Sequence, residues 1–361
     1  MRKTLYLAGF VIALAAQPVL AENGKGVYFS HLDWEVACDN TLTCRAAGYQ
    51  ADDDEQPISV LLTRKAGPRQ AVTGEVQIGS EVSDFLLDQP KPLRLKMSIN
   101  GRAYGRVTID KKSLTGELTG EQITGLVSSL AHTSKIEFVN GKKVWHLSDM
   151  GAAAVLLKMD DVQGRVGTVG ALIRKGSAGE DKVKAPIPEP VVVAAKMATP
   201  QASLQPFSDR ESKYLRTILR RTGKEDDCPK VYENQSGESK ISIQPLTGKK
   251  RLVSTPCWQA AYNDGSGYWV INDSRPYDPV LVTISGTSYM NGEITAYQKG
   301  RGLADCVSID HWNWEGKRFF HTESLTTGMC KMVAPGGAWK LPTKVTEVRD
   351  EGSHQQDTPS N

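Results

Sequence analysis

Leu93-Arg94-Leu95-Lys96-Met97-Ser98-Ile99-Asn100-Gly101, followed by Val107-Thr108-Ile109, decides the fold class. Leu93, Leu95, Met97 and Ile99 alternate with polar neighbours, so an extended strand here has one apolar face. Asn100-Gly101 suits positive φ and reverses the chain, and Val107 and Ile109 return on the same face. Ile136 and Phe138, Asn140-Gly141, and Val144 to Leu147 repeat the device. A helix is expected between these hairpins. Thr119 and Gln122 have capping-box spacing, ahead of a stripe of Ile123, Leu126, Val127 and Leu130. A second helix is expected over Ser148 to Gln163, favoured by Ala152-Ala153-Ala154 and stopped by Gly164.

Further along, Ser208 and Glu211 again have capping-box spacing, and Tyr214, Leu215, Ile218 and Leu219 make one apolar side before Gly223. Short strand patterns follow over 240–244, 251–255, 268–272, 280–285, 293–298 and 319–324, separated by turn residues such as Asn263-Asp264-Gly265 and Asn291-Gly292. The expected fold is mainly β (α+β): two β-rich domains, each an antiparallel sandwich or open barrel with one or two helices.

Between them, Gly176 to Pro206 carries Pro186, Pro188, Pro190, Pro200 and Pro206 among Ala, Lys and Glu, too little apolar surface for a core. The expected organisation is a domain over 22–175, a Pro/Ala-rich linker over 176–206, a second domain over 207–348, and a polar disordered tail over 349–361. The linker is expected to let the domains fold separately. At the start, Arg2 and Lys3 precede an apolar run from Leu5 to Ala16, then Pro18 and Val19-Leu20-Ala21. These are the parts of a cleavable export signal ending at Ala21. The run is short of the roughly 20 residues a membrane span needs. No later segment is long and apolar enough, so no membrane span is expected. Lys and Arg total 44 against 41 Asp and Glu, and losing Arg2 and Lys3 brings these near balance. That argues against a nucleic-acid partner, which wants a basic excess.

The six cysteines fit an oxidising compartment, expected to be the periplasm. If each domain pairs within itself, Cys38 joins Cys44, and three connectivities remain for Cys228, Cys257, Cys306 and Cys330. Joining consecutive cysteines, Cys228–Cys257 and Cys306–Cys330, is the expected choice. No Cys-x-x-Cys or Cys/His cluster suggests a metal, and no cofactor is expected.

Two places suggest binding. Lys158 to Thr168 is dense in charge at a helix exit, and Asp160, Asp161 and Arg165 are candidates for a polar binding surface; the alternative is an internal lock. Aromatics crowd the second domain: Trp312 and Trp314 share a strand face, and Tyr262, Tyr268 and Trp269 flank the Asn263-Asp264-Gly265 turn. Rings exposed there would stack on sugar or peptide; the alternative is that they fill the core. Gly265-Ser266-Gly267 lacks nucleophile-elbow spacing, the histidines are scattered, and Asp52 to Glu55 lacks an EF-hand pattern.

Asp33-Trp34-Glu35-Val36-Ala37-Cys38-Asp39-Asn40-Thr41 with Cys44-Arg45-Ala46-Ala47-Gly48-Tyr49, Ser59 to Arg64, Leu156 to Thr168, Cys257-Trp258 through Val270, Trp312-Asn313-Trp314-Glu315-Gly316, and Trp339-Lys340-Leu341-Pro342-Thr343 together resemble the bacterial exported family called domain of unknown function 1176. The first domain resembles, less closely, invasion-associated locus B proteins, through Asp33-Trp34, Cys38, Cys44 and Leu147-Ser148 leading to Gly151. These resemblances imply export and architecture rather than a reaction. The expected function is a non-catalytic periplasmic module binding an envelope protein or glycan. The alternatives are an enzyme acting on cell wall or carbohydrate, and a hydrolase inhibitor.

Overall fold

A computed structural model describes residues 26–79, 92–197, 207–233 and 241–351. The expected export signal, residues 1–21, lies outside them, as do linker residues 198–206 and the tail from 352. The first strands are β1 (Val27–His31), β2 (Trp34–Cys38), β3 (Cys44–Tyr49), β4 (Ile58–Arg64) and β5 (Val72–Ile78). With β8 (Thr115–Glu117) they make a six-stranded antiparallel sheet in the order β1-β2-β3-β4-β5-β8. The stretch that set the fold class forms β6 (Leu93–Ile99) and β7 (Arg102–Ile109), with Asn100 and Gly101 at φ 52° and 80°. They join β9 (Ile136–Asn140) and β10 (Lys143–Leu147) in a four-stranded sheet.

Helix α1 (Gly120–Ser129) has the expected Thr119–Gln122 capping box, and α2 (Ala152–Gln163) ends at Gly164 in the left-handed region. Trp34, Val36, Val60 and Leu62 of the first sheet pack with Met97, Phe138 and Trp145 of the second and with both helices.

The second half opens with β11 (Val191–Ala194), α3 (Asp209–Leu219), a 3₁₀ turn (Arg220–Thr222) and α4 (Pro229–Tyr232). β12 (Ser242–Pro245), β13 (Lys250–Gln259), β14 (Asp264–Asn272) and β15 (Val280–Gly286) form one sheet. β16 (Ser288–Met290), β17 (Glu293–Lys299), β18 (Val307–Trp314), β19 (Phe319–Thr326) and β20 (Leu341–Lys344) form another. The four-stranded sheet is covered on both faces. Val253, Trp269 and Ile271 lie under α3, and Leu252, Tyr268 and Val270 lie against Ile294, Trp314 and Phe319 of the next sheet. Among the described residues the protein is mainly β, and no sheet closes into a barrel. The three disulfides are Cys38–Cys44, Cys228–Cys257 and Cys306–Cys330, as consecutive pairing anticipates.

The two halves meet across the second face of the six-stranded sheet. Ala37, Ala47, Tyr49 and Leu61 on that face are buried against Val333, Trp339 and Leu341. Trp339 Nε1 donates to Ser59 Oγ at 2.7 Å. Lys331 Nζ reaches Asp33 at 2.8 Å and also pairs with Asp52, while Gln50 Nε2 donates to Lys331 O at 2.8 Å. Glu35 is fully buried in this contact. Its carboxylate accepts from Tyr49 at 2.6 Å, Tyr28 at 2.8 Å and Met329 N at 2.7 Å. Gly328 keeps the approach close, since a Cβ there would lie 2.1 Å from Tyr49 Oη.

The linker is anchored where it is described. Ile187 N donates to Thr41 O, and β11 pairs in parallel with β21 (Glu347–Asp350), which takes in the first two residues assigned to the tail. Asn40 bonds the backbone of Val345 in both directions, at 3.0 and 2.7 Å. β11 and β21 thus form a strap tied to the Cys38–Cys44 hairpin.

Burial raises the Glu35 carboxyl above its usual range, although hydrogen bonds from Tyr49, Tyr28 and Met329 N pull it back down. A carboxyl with a raised folded pKa holds its proton longer in the folded state. Its contribution to stability is therefore full below the unfolded value, about 4.3, and is lost as pH rises through the folded value. Glu35→Gln should remove that loss. Denaturant unfolding from acid to neutral pH should show wild type losing more stability than the variant; parallel profiles would contradict the assignment.

Candidate functional site

Strands β17, β18 and β19 send alternate side chains to opposite faces. Ile294, Ala296, Trp314 and Phe319 point to the core. The other face carries Glu293, Thr295, His311, Asn313 and Glu323, and an irregularity in the β18–β19 pairing at His311 and Trp312 brings Thr322 to the same side. Register sets Thr295 opposite His311, Glu293 opposite Asn313, and His311 opposite Glu323. His311 Nδ1 lies 3.2 Å from Thr295 Oγ1 and 3.3 Å from Glu293 Oε1, and its Nε2 lies 3.7 Å from Glu323 Oε2. Asn313 Nδ2 donates to Glu293 Oε2 at 3.1 Å, and Thr322 Oγ1 donates to Asn313 Oδ1 at 2.7 Å. Glu293, His311, Asn313, Thr322 and Glu323 floor a groove of about 280 Å³, which Glu189, Thr346 and Val348 of the strap and its approaches help to line. The Thr346 hydroxyl has no hydrogen-bond partner among the described residues.

Two carboxylates flank one imidazole and Glu189 lines the same groove, which suits a cationic group or a cluster of hydrogen-bond donors. Thr295 beside His311 looks like a hydroxyl next to a base, as nucleophilic catalysis needs. Glu293 competes for the same ring nitrogen, and Glu323 stands beyond ordinary hydrogen-bond distance. The arrangement is better suited to holding a ligand than to activating Thr295. On the opposite face, Trp312 stacks on His321 with ring centroids 4.7 Å apart, and His321 Nε2 meets Asp310 Oδ1 at 2.8 Å. Burial alone would raise the Asp310 carboxyl, but hydrogen bonds from His321 and Ser324 and the nearby imidazoles hold it below the usual range.

The residues singled out in the sequence do not form one surface. Tyr262 is exposed, whereas Tyr268, Trp269 and Trp314 are buried. Trp312 is half-buried against the same core as Trp314, so the two do share a face, but that face is covered by the four-stranded sheet. Spare rings would be expected only if this half had a single core layer. This half instead stacks helices, one sheet and a second sheet, and the rings fill the layers between.

Asp160 and Arg165 also lie inside. Asp160 pairs with Arg64 at 2.6 Å and accepts from Leu172 N and Ile173 N. Arg165 pairs with Glu180 and donates to Gly67 O. Asp161 is on the surface, paired with Lys158 at 2.9 Å. Of the acidic run, Asp52 meets Lys331 and Asp54 meets His146.

Glu189, Glu293, His311 and Glu323 were not singled out from the sequence, because they meet only through strand register. The one local signal is alternation, with Glu293 and Thr295, then His311 and Asn313, spaced two apart on strands whose intervening residues are apolar.

Asp160→Ala leaves the Arg64 charge buried without its partner and should cost about 3–5 kcal/mol. Asp161→Ala should stay within about 0.5 kcal/mol of wild type. Chemical denaturation of the two variants checks this; equal stabilities would contradict the lock.

The chain is 24% identical over 345 residues to "Uncharacterized protein YpfG" of Escherichia coli (strain K12), covering 88% of this chain and 92% of that protein. No solved structure matches. Residues 28–346 match the family described as "Protein of unknown function (DUF1176)", and the chain belongs to that family.

Proposed function

We propose that the protein is an exported, non-catalytic binding module of the cell envelope. It consists of two β-rich units, residues 22–175 and 207–348, joined by residues 176–206. Its ligand is a basic segment of an envelope protein, received in the groove under the strap. The observation that carries this reading is that Glu189, Glu293 and Glu323 line one groove with His311. Lysine or arginine side chains would find carboxylates there, and the Thr346 hydroxyl would find a donor. A glycan would want exposed aromatic faces, but Trp269 and Trp314 are core and Trp312 is stacked on His321. Export is supported by the charged and apolar opening from Arg2 to Ala21 and by the pairing of every cysteine. No helix among the described residues is long and apolar enough to cross a membrane. The resemblance to invasion-associated locus B proteins fits the same reading.

The test is titration of a fluorescent lysine- and arginine-rich peptide at low and physiological salt. Each partly exposed ion pair is worth up to about 1 kcal/mol. Glu293→Gln with Glu323→Gln should therefore weaken binding roughly tenfold and flatten its salt dependence. Equal affinity in the double variant, or tighter binding of an acidic peptide, would overturn the proposal.

A further inference from the structure

A separate cavity lies between the α3–α4 segment and the outer face of the four-stranded sheet, away from the groove. Its volume is about 240 Å³. Leu219, Val231, Trp269, Leu281 and Ile284 give it an apolar lining. The Trp269 indole N–H is already used by Thr222 Oγ1 at 2.7 Å, so the ring offers the cavity only its apolar surface.

The roof is braced against collapse. Cys228 at the start of α4 is bonded to Cys257 in β13. Arg220 donates from Nε to Val231 O at 2.9 Å and from Nη2 to Tyr232 O at 3.1 Å. The Tyr232 hydroxyl contacts Arg220 O and Gly223 O. A well-packed core closes such space, because each void forfeits dispersion contacts. Here the staple and the hydrogen bonds hold it open.

Gly223 lines the same cavity. Its backbone, φ −152° and ψ −174°, is extended and open to any residue. A Cβ would meet only Leu281 Cδ2, at 3.9 Å. Neither strain nor a clash requires glycine, yet a larger side chain would fill the space. Besides Thr222 and Tyr232, whose hydroxyls are engaged within the roof and floor, the polar lining residues are Lys224, Asp227 and Thr283. Thr283 Oγ1 accepts from Ser285 N, which leaves its proton to donate. Lys224 and Thr283 therefore offer donors to an acceptor head group.

We propose that this cavity is a second binding site, for a short acyl chain ending in a carboxylate. The volume is below the roughly 300 Å³ at which drug-sized pockets begin. At about 30 Å³ for each water-sized group it holds about eight heavy atoms, matching the eight carbons of octanoate, whose two carboxylate oxygens would reach out to the polar lining. The chain lies along Trp269, Leu281 and Ile284, and the carboxylate meets Lys224 and Thr283.

The test uses the full chain and octanoate, with calorimetry and Trp fluorescence as readouts. Octanoate should bind at one site and raise the Tm. Gly223→Leu should weaken it at least tenfold while leaving the ligand-free Tm unchanged. Lys224→Gln should weaken octanoate severalfold but leave octanol unaffected. If Gly223→Leu does not fold, Ile284→Phe fills the same space from the floor and is judged by the same criterion. Absence of octanoate binding, or binding unchanged by the filling substitution, overturns the proposal. Glu293→Gln with Glu323→Gln should leave octanoate binding intact, which separates this site from the groove.

Discussion

The second face of the six-stranded sheet has to be covered, and the rest of the architecture follows from how that is done. An antiparallel sheet commonly buries one face and leaves the other wet. Here Ala37, Ala47, Leu61 and Tyr49 make the outer face apolar as well, and the two alanines allow close approach. Glu35 sits among them, and an isolated charge there would be costly. Tyr28, Tyr49 and the backbone of Met329 satisfy its carboxylate, so the second half supplies part of what the first half needs. The Lys331 and Trp339 contacts extend the same junction.

The groove depends on this junction. Its floor belongs to the five-stranded sheet, but its roof is the strap, and the strap is tied to the first half through Asn40 and Thr41. The disulfide-closed turn of that half thereby helps to set where Glu189 enters the groove. The apolar cavity is different. Its walls, staple and mouth all come from the second half, so a ligand there would not sense how the halves dock. One chain would then present a polar site governed by docking and an apolar site governed by local packing.

Hairpins and caps were legible because their signals are local: alternation around Asn100-Gly101, the Thr119–Gln122 box, and glycine at 164. The disulfides followed from consecutive pairing. The junction was not legible. In Trp34-Glu35-Val36-Ala37-Cys38, alternation marks Trp34, Val36 and Cys38 as one buried face, while Glu35 and Ala37 look solvated. Only a distant segment, Met329 to Leu341, reveals the second buried face. The groove was hidden for a related reason, since Glu293, His311 and Glu323 meet through cross-strand register. The Asp160 and Arg165 charges were visible, but their burial depends on Arg64 and Glu180, far away in sequence. The crowd of aromatic residues was visible too, and its number misled because this half has more core layers than one sheet would need.

The central claim is that the junction holds both halves, and with them the strap, in one arrangement. Native-state hydrogen exchange on the full chain with Trp339→Ala tests it most directly. Trp339 is buried against the outer face of the first sheet and bonds Ser59. The account predicts that protection falls together in β2–β4, in β18–β20 and in the paired amides of β11 and β21. Protection lost only around residue 339, with β2–β4 and the strap unchanged, would contradict it.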